Sequence, residues 1–268
     1  MKVIFGLLKA SHFGPTMAVT VISLLLATNL WWEGPAIVIA FGVFLGQLLV
    51  GWSNDLHDYS DDLKHNRTSK PLVSGEITER KLLTSIKVIT PLAVVFNLFG
   101  PLGIKGGLLY LFGVGMGVAY NFYFKSTLLS PLPYALAFAA LAASLVVATN
   151  RTPPIWLIAS GALLGVAAHF ANVLKDLDQD LTSGIAGLPQ RLGKRRARVI
   201  CAALLILTTL ILNATVSNYL LLIIGLIAAV ITSVAPDKVI FKSLVITVII
   251  DLILLLSAID SKIGSLVV

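Results

Sequence analysis

The chain has 268 residues, 57% of them hydrophobic and only 12% charged, with a mean hydropathy of +0.93. A soluble domain carries about 25% charged residues, so this chain has too few polar groups to cover a core of its own size, and composition excludes a soluble, a disordered or a disulfide-stapled secreted protein. The net charge of +7 would point to nucleic acid in a soluble chain, but no basic stripe or binding motif accompanies it. What remains is a polytopic membrane protein.

A span needs about 20 mostly apolar residues to cross a hydrocarbon core about 30 Å thick. Nine such stretches follow one another, at approximately 14–31, 35–53, 82–100, 104–122, 131–149, 154–174, 198–213, 218–234 and 241–258. The expected fold is an all-α bundle of nine transmembrane helices forming a single domain over 1–268. The first stretch follows Lys2 and Lys9 in the manner of a signal peptide, but no A-x-A pattern comes after it, so it is expected to remain as the first span. Trp31 and Trp32 fit interface anchors after it. The connections after spans 2 and 6, about 54–81 and 175–198, are long and polar, and most of the others are short. The lone cysteine, Cys201, lies in an apolar run and permits no internal disulfide.

Nine spans place the two termini on opposite faces. Sixteen of the 20 basic residues then fall on the face of the N-terminus and the two long connections, with Lys87 just inside that face. Only Lys105, Arg151 and Lys262 fall on the other. This bias puts the N-terminus and both long connections in the cytoplasm, with a bacterial or archaeal plasma membrane as the expected location.

Seven of the 13 acids gather in two stretches at that face: Asp55, Asp58, Asp61 and Asp62, then Asp176, Asp178 and Asp180. Asn54, Asp58 and Asp62 are spaced i, i+4, i+8, and so are Asn172, Asp176 and Asp180. Residues four apart share one helix face, so each stretch makes a row of oxygen donors at a helix end. Both rows are followed by a basic segment containing Gly and Pro, which reads as a weak internal duplication with the rows facing each other. Carboxylates and amide carbonyls suit Mg²⁺ or Ca²⁺ rather than Zn²⁺. Mg²⁺ is commonly held by one or two carboxylates together with phosphate oxygens. Two rows therefore point to Mg²⁺ ions clamping a phosphate-rich ligand, with Arg67, Lys70, Lys125 and Arg191 at hand to neutralise it. A polyprenyl diphosphate fits, with its head at the rim and its chain among the helices. A cation transporter would carry its acids at mid-membrane depth, where only Asp251 lies. The D-G…A-R…G…D…D run of a CDP-alcohol phosphotransferase is missing.

Asn54-Asp55-Leu56-His57-Asp58-Tyr59-Ser60-Asp61-Asp62 and Asp176-Leu177-Asp178-Gln179-Asp180 resemble the NDxxDxxxD and DxxxD motifs of the UbiA family of intramembrane prenyltransferases. Lys70-Pro71-Leu72-Val73-Ser74-Gly75 is similar to the family's R-P-L-x-S-G, Gly187 to Gly193 to its T-L-P-x-x-L-G, and Tyr120 to Lys125 to its Tyr…Lys segment. Lys70 stands where Arg is usual, exchanging a bidentate fork for a point charge. Leu63 stands where a basic residue is common, and Gly187 lies in the usual Arg/Thr region.

The resemblance implies a Mg²⁺-dependent transfer of a prenyl group from a polyprenyl diphosphate to a small acceptor, foremost an electron-rich aromatic ring of the quinone-precursor kind. A lipid or sugar-phosphate acceptor is the alternative. The implied metal ligands are Asn54, Asp58 and Asp62 on one side and Asp176 and Asp180 with Asn172 on the other, the four Asp being catalytic. Arg67, Lys70, Lys125 and Arg191 are expected at the diphosphate. Tyr120, with Phe122, Tyr123 and Phe170, is expected to present an aromatic face to a cation-like species or simply to pack. His169 is expected either to bind the acceptor or to be a buried, hydrogen-bonded core histidine. Asp55 and Asp178 fall off the shared faces and are expected to orient basic partners.

Overall fold

The long apolar runs fold into ten α-helices, with no strand among the described residues. The computed structural model describes residues 2–234 and 237–263, apart from the side chains of 178, 179 and 237–241. The side chains of Asp178 and Lys238 thus lie outside the described residues. In chain order the helices are α1 (Lys2–Ala10), α2 (Phe13–Thr28), α3 (Glu33–Lys64), α4 (Glu79–Phe99), α5 (Gly103–Ala119), α6 (Pro131–Ala148), α7 (Ile155–Thr182), α8 (Leu188–Val216), α9 (Tyr219–Val234) and α10 (Asp237–Lys262). A π-helical turn, Tyr120–Phe124, extends α5. Among the described residues, seven helices are long and apolar enough to cross a membrane: α3, α4, α5 with its π turn, α6, α7, α8 and α10. The pair α1 and α2, bent by 71°, counts as an eighth if it is one span, and α9 is apolar but has only 16 residues. On length and composition the nine expected spans therefore stand at seven or eight.

Each helix packs on the next in the chain, and α10 reaches back to α2, α7 and α8, which closes the bundle. One core cluster includes Leu30, Val43, Leu145, Leu157 and Leu254; a second gathers Phe170, Ala197, Cys201 and Leu205. Lipid offers helices no hydrophobic drive to associate, so polar cross-links and small residues matter. Tyr110 donates from Oη to Val43 O at 2.9 Å and Asn97 from Nδ2 to Gly42 O at 3.1 Å, tying α5 and α4 to α3.

The acid rows sit on helix rather than on loop. At 1.5 Å per residue the 32 residues of α3 measure about 48 Å, some 18 Å more than a bilayer core. The surplus is its C-terminal end, which carries Asn54 to Asp62. α7 overshoots likewise at about 42 Å, with Asp176 and Asp180 on its last turns. The two connections expected at 54–81 and 175–198 shrink to 65–78 and 183–187. Residues 188–198 belong to α8, which is broken at Gly193, where φ is +76°. That left-handed value suits a residue without Cβ.

α1 is an element the sequence pattern did not place. Nine residues are too short to span, and its Gly6 and Ala10 are buried while Ile4 and Phe5 stand exposed. Trp52 donates from Nε1 to Leu7 O at 2.9 Å, and Lys9 meets Glu76 at 2.5 Å. The elbow at His12 (φ 52°) lies against α3 so closely that a Cβ on Gly51 would collide with the Ser11 backbone. α1 is thereby pinned beside the base of the first acid row.

Candidate active site

Asn54, Asp58 and Asp62 follow the helical register of α3, and each finds a partner. Asn54 donates from Nδ2 to Asn121 Oδ1 at 3.2 Å. Asn121 is itself fixed by donating to Val50 O and Ser53 Oγ. An amide whose nitrogen is held this way keeps its carbonyl oxygen for another group. Lys125 Nζ lies 2.6 Å from Asp58 Oδ2, and Arg67 Nη1 lies 2.6 Å from Asp62 Oδ1, a carboxylate only 2% exposed. Arg67 also touches Asp61 at 3.7 Å and donates from Nη2 to Ser183 Oγ, across in the connection after α7. Asp55, off the shared face and equally buried, takes Lys70 Nζ at 2.6 Å and His12 Nε2 at 3.5 Å. The expected pairing of Asp55 with a basic partner thus has a geometry.

The π turn brings Tyr120 and Lys125 to one side. Lys125 N–H bonds Tyr120 O, five residues back, so the wider turn stacks the two on a common face. Tyr120 lies within electrostatic reach of both Asp58 and Asp180. Lys125, just past the π turn, and Arg67, in the connection after α3, likewise act on Asp180. Asp180 accepts from Gln190 Nε2 at 2.8 Å. Burial pushes the Asp180 carboxyl above the usual carboxylate range, against the opposing pull of Gln190, Lys125 and Arg67. Arg67, bonded to both Asp62 and Ser183, ties the end of the first row to the connection that follows the second, and Lys125 acts on both Asp58 and Asp180.

Asp176 is half-buried one turn below Asp180, and Asn172 is exposed a further turn down. Arg191 is exposed and donates from Nε to Ala186 O at 2.7 Å, forming no ion pair among the described residues. His169, 1% exposed, lies about 10 Å below Asp176 along α7. Its Nε2 sits 3.1 Å from Ser130 Oγ, which also accepts from Leu188 N at 3.0 Å. Nδ1 of His169 is buried without a hydrogen-bond partner. Around it stand Tyr134 (4.8 Å between ring centroids), Tyr120 (5.5 Å) and Phe170 (6.0 Å). Phe122 and Tyr123, expected as further aromatic faces, are exposed.

Asn121, Ser130, Tyr134, Ser183, Gln190 and His12 escaped the sequence reading. Asn121 had a weak signal in its position between Tyr120 and Lys125. The others are single polar residues with no periodicity to mark them.

Every donor in the two rows is a hard oxygen. Among the described residues no three His, Cys, Asp or Glu converge as a ready metal cage. This donor set fits Mg²⁺, which keeps several waters and completes its shell with phosphate oxygens, better than an ion needing a full protein cage.

The model of the UbiA prenyltransferase family matches residues 16–240, and the chain belongs to that family of enzymes. No curated protein matches the chain by sequence. Among solved structures, a UbiA homolog from Archaeoglobus fulgidus bound to GPP and Mg²⁺ is similar at 16% identity and TM-score 0.69, over 95% of this chain and 99% of that one. The same homolog bound to DMAPP and Mg²⁺ gives 17% and 0.69 over the same shares. The apo structure of a UbiA homolog from Aeropyrum pernix K1 gives 17% and 0.65, over 97% and 98%. At these identities the likeness is one of fold.

Proposed function

We propose that the chain transfers a prenyl group from a polyprenyl diphosphate to a small acceptor, foremost an aromatic ring, and releases pyrophosphate. The observation that carries this reading is the approach of two oxygen-donor rows on the overhanging ends of α3 and α7, joined by Lys125, Arg67 and Tyr120. The Mg²⁺ and prenyl diphosphates bound in the A. fulgidus homolog, whose fold is shared, support it.

Asn54, Asp58 and Asp62 hold metal on one side, and Asp176 and Asp180 with Asn172 on the other. When bound, Mg²⁺ supplies Lewis-acid stabilisation to the departing diphosphate oxygens. Arg67, Lys70 and Lys125 hold the diphosphate from the protein side, and Arg191 guards the approach. The Tyr120 ring, poised between the rows, faces the carbon from which the diphosphate departs and stabilises the positive charge developing there. The cluster of Tyr120, Tyr134, His169 and Phe170 is aromatic and half-buried to buried, which limits the access of water to that charge and supports a flat aromatic acceptor. His169 offers its unpartnered nitrogen to that acceptor. The proposed topology has nine spans, with α1 lying at the interface and the N-terminus and both rows facing the cytoplasm of a bacterial or archaeal plasma membrane. Its support is the distribution of Lys and Arg.

The test is release of pyrophosphate by the purified chain with Mg²⁺ across panels of prenyl diphosphates and acceptors. Release that requires both partners is expected. No release with any pair overturns the reading.

A further inference from the structure

Each carboxylate of the first row that is assigned to metal is already occupied by a cation of the protein itself. Lys125 Nζ sits on Asp58 and Arg67 Nη1 on Asp62, both at 2.6 Å. On the second row, Gln190 donates to Asp180 at 2.8 Å. The two cations are largely buried, at 19% and 16% side-chain exposure, so water screens them poorly. A divalent ion approaching Asp58 or Asp62 would meet an ammonium or guanidinium group at contact distance. A diphosphate entering alone would meet the carboxylates and find its cations engaged.

We propose that metal and diphosphate enter this site by exchanging ion pairs, with Lys125 and Arg67 moving from carboxylate to phosphate as the metal moves onto Asp58 and Asp62. The inference rests on the metal and diphosphate assignments of the proposed function and adds a rule of binding to them. Neither ligand binds well alone, because each alone strands charge: the metal displaces two cations with nowhere to go, and the diphosphate pulls cations from carboxylates it leaves bare. Together they leave every charge paired. The two bindings are then positively coupled, and by linkage the coupling is the same viewed from either ligand. Arg67 can leave Asp62 without losing its place, because Nη2 is anchored on Ser183. Departure of pyrophosphate restores the internal pairs, which loosens the metal after each turnover.

The test uses Mn²⁺ as the metal, whose free ion gives an electron paramagnetic resonance signal that the bound ion loses. It uses the purified chain with and without inorganic pyrophosphate, corrected for Mn²⁺ held by pyrophosphate in solution. Pyrophosphate is expected to tighten Mn²⁺ binding at least about tenfold, an ordinary size for coupled sites. Lys125→Met is expected to tighten Mn²⁺ alone about fivefold and to shrink the pyrophosphate effect. Arg67→Met reads the same exchange at Asp62, should Lys125→Met fail to fold. Lys125→Arg keeps the charge and should keep the wild-type coupling. Equal Mn²⁺ affinity with and without pyrophosphate in the wild-type chain overturns the proposal, as does an unchanged affinity for Mn²⁺ alone in both Met variants. If Asp58→Asn leaves Mn²⁺ binding unaltered with pyrophosphate present, the metal assignment itself fails, a result distinct from loss of coupling.

Discussion

Asp58 and Asp180 lie on different helices and 122 residues apart in the chain, yet Lys125 acts on both. Removing the charge of Asp58 or Asp176 should lower pyrophosphate release by about two orders of magnitude or more, because a Lewis acid contributes several kcal/mol to a departing anion. Asp58→Asn and Asp176→Asn keep size and polarity, so circular dichroism and gel filtration should be unchanged. Activity within twofold of wild type would remove either residue from the metal set. His169 calls for a split readout. With Nε2 engaged by Ser130 and Nδ1 unpartnered, His169→Phe should raise the KM for acceptor and leave the KM for diphosphate unchanged; an equal rise in both would mark a packing role. At this scale the sequence was informative where residues repeat. Two Asn-x-x-x-Asp-x-x-x-Asp rows announce a shared face by spacing alone. Ser130, Gln190 and Ser183 repeat nothing, and they matter only because the chain returns to the rim at 130 and again at 183–190.

Between residue and molecule stand the turns and joints that spacing does not reveal. The π turn at Tyr120–Phe124 depends on one amide reaching five residues back rather than four. Its sequence reads like any helix end, so the meeting of Tyr120 with Lys125 was legible only through family resemblance. Inserting one alanine after Phe122 should swing Lys125 about 100° round the axis. The KM for diphosphate should rise while the melting temperature holds within a few degrees, and an unchanged KM would deny the turn its role. The helical overhangs were also hidden, since polar residues ending an apolar run look like the start of a loop. α1 was missed for the opposite reason, being apolar but too short to span. Asp251 belongs to this scale too. It is buried in α10, 2.6 Å from Thr209 Oγ1 on α8, and Thr209 Oγ1 also lies 2.9 Å from Leu205 O. The Thr209 hydroxyl thus ties α8 to Asp251 Oδ1 on α10, while Oδ2 of Asp251 is buried without a hydrogen-bond partner, and an amide at this position keeps an oxygen for Thr209. Asp251→Asn should therefore retain both fold and turnover, and loss of turnover with the fold intact would place Asp251 in the reaction.

For the molecule as a whole, the count of crossings remains the sharpest topological question, since seven or eight helices meet the length requirement and nine were expected. A reporter fused after Val268 should be found outside the cytoplasm, and a cytoplasmic reporter would break the nine-span reading. The all-helical membrane architecture was legible from composition, because so few charges leave no other solvent for the chain. The closure of α10 onto α2 was not, because contacts between distant helices depend on shape rather than on period. The overshoot of α3 and α7 has one more consequence. Each acid row rides at the tip of a stiff rod whose shaft is packed into the membrane bundle. With Asp62 about 30 Å from the bilayer midplane, a 5° change of tilt carries it about 2–3 Å sideways. Helices tilt to match the thickness of their bilayer, so the gap between the jaws is geared to the membrane. Turnover in vesicles of graded acyl-chain length should pass through an optimum, as a caliper closes only at one setting of its arms.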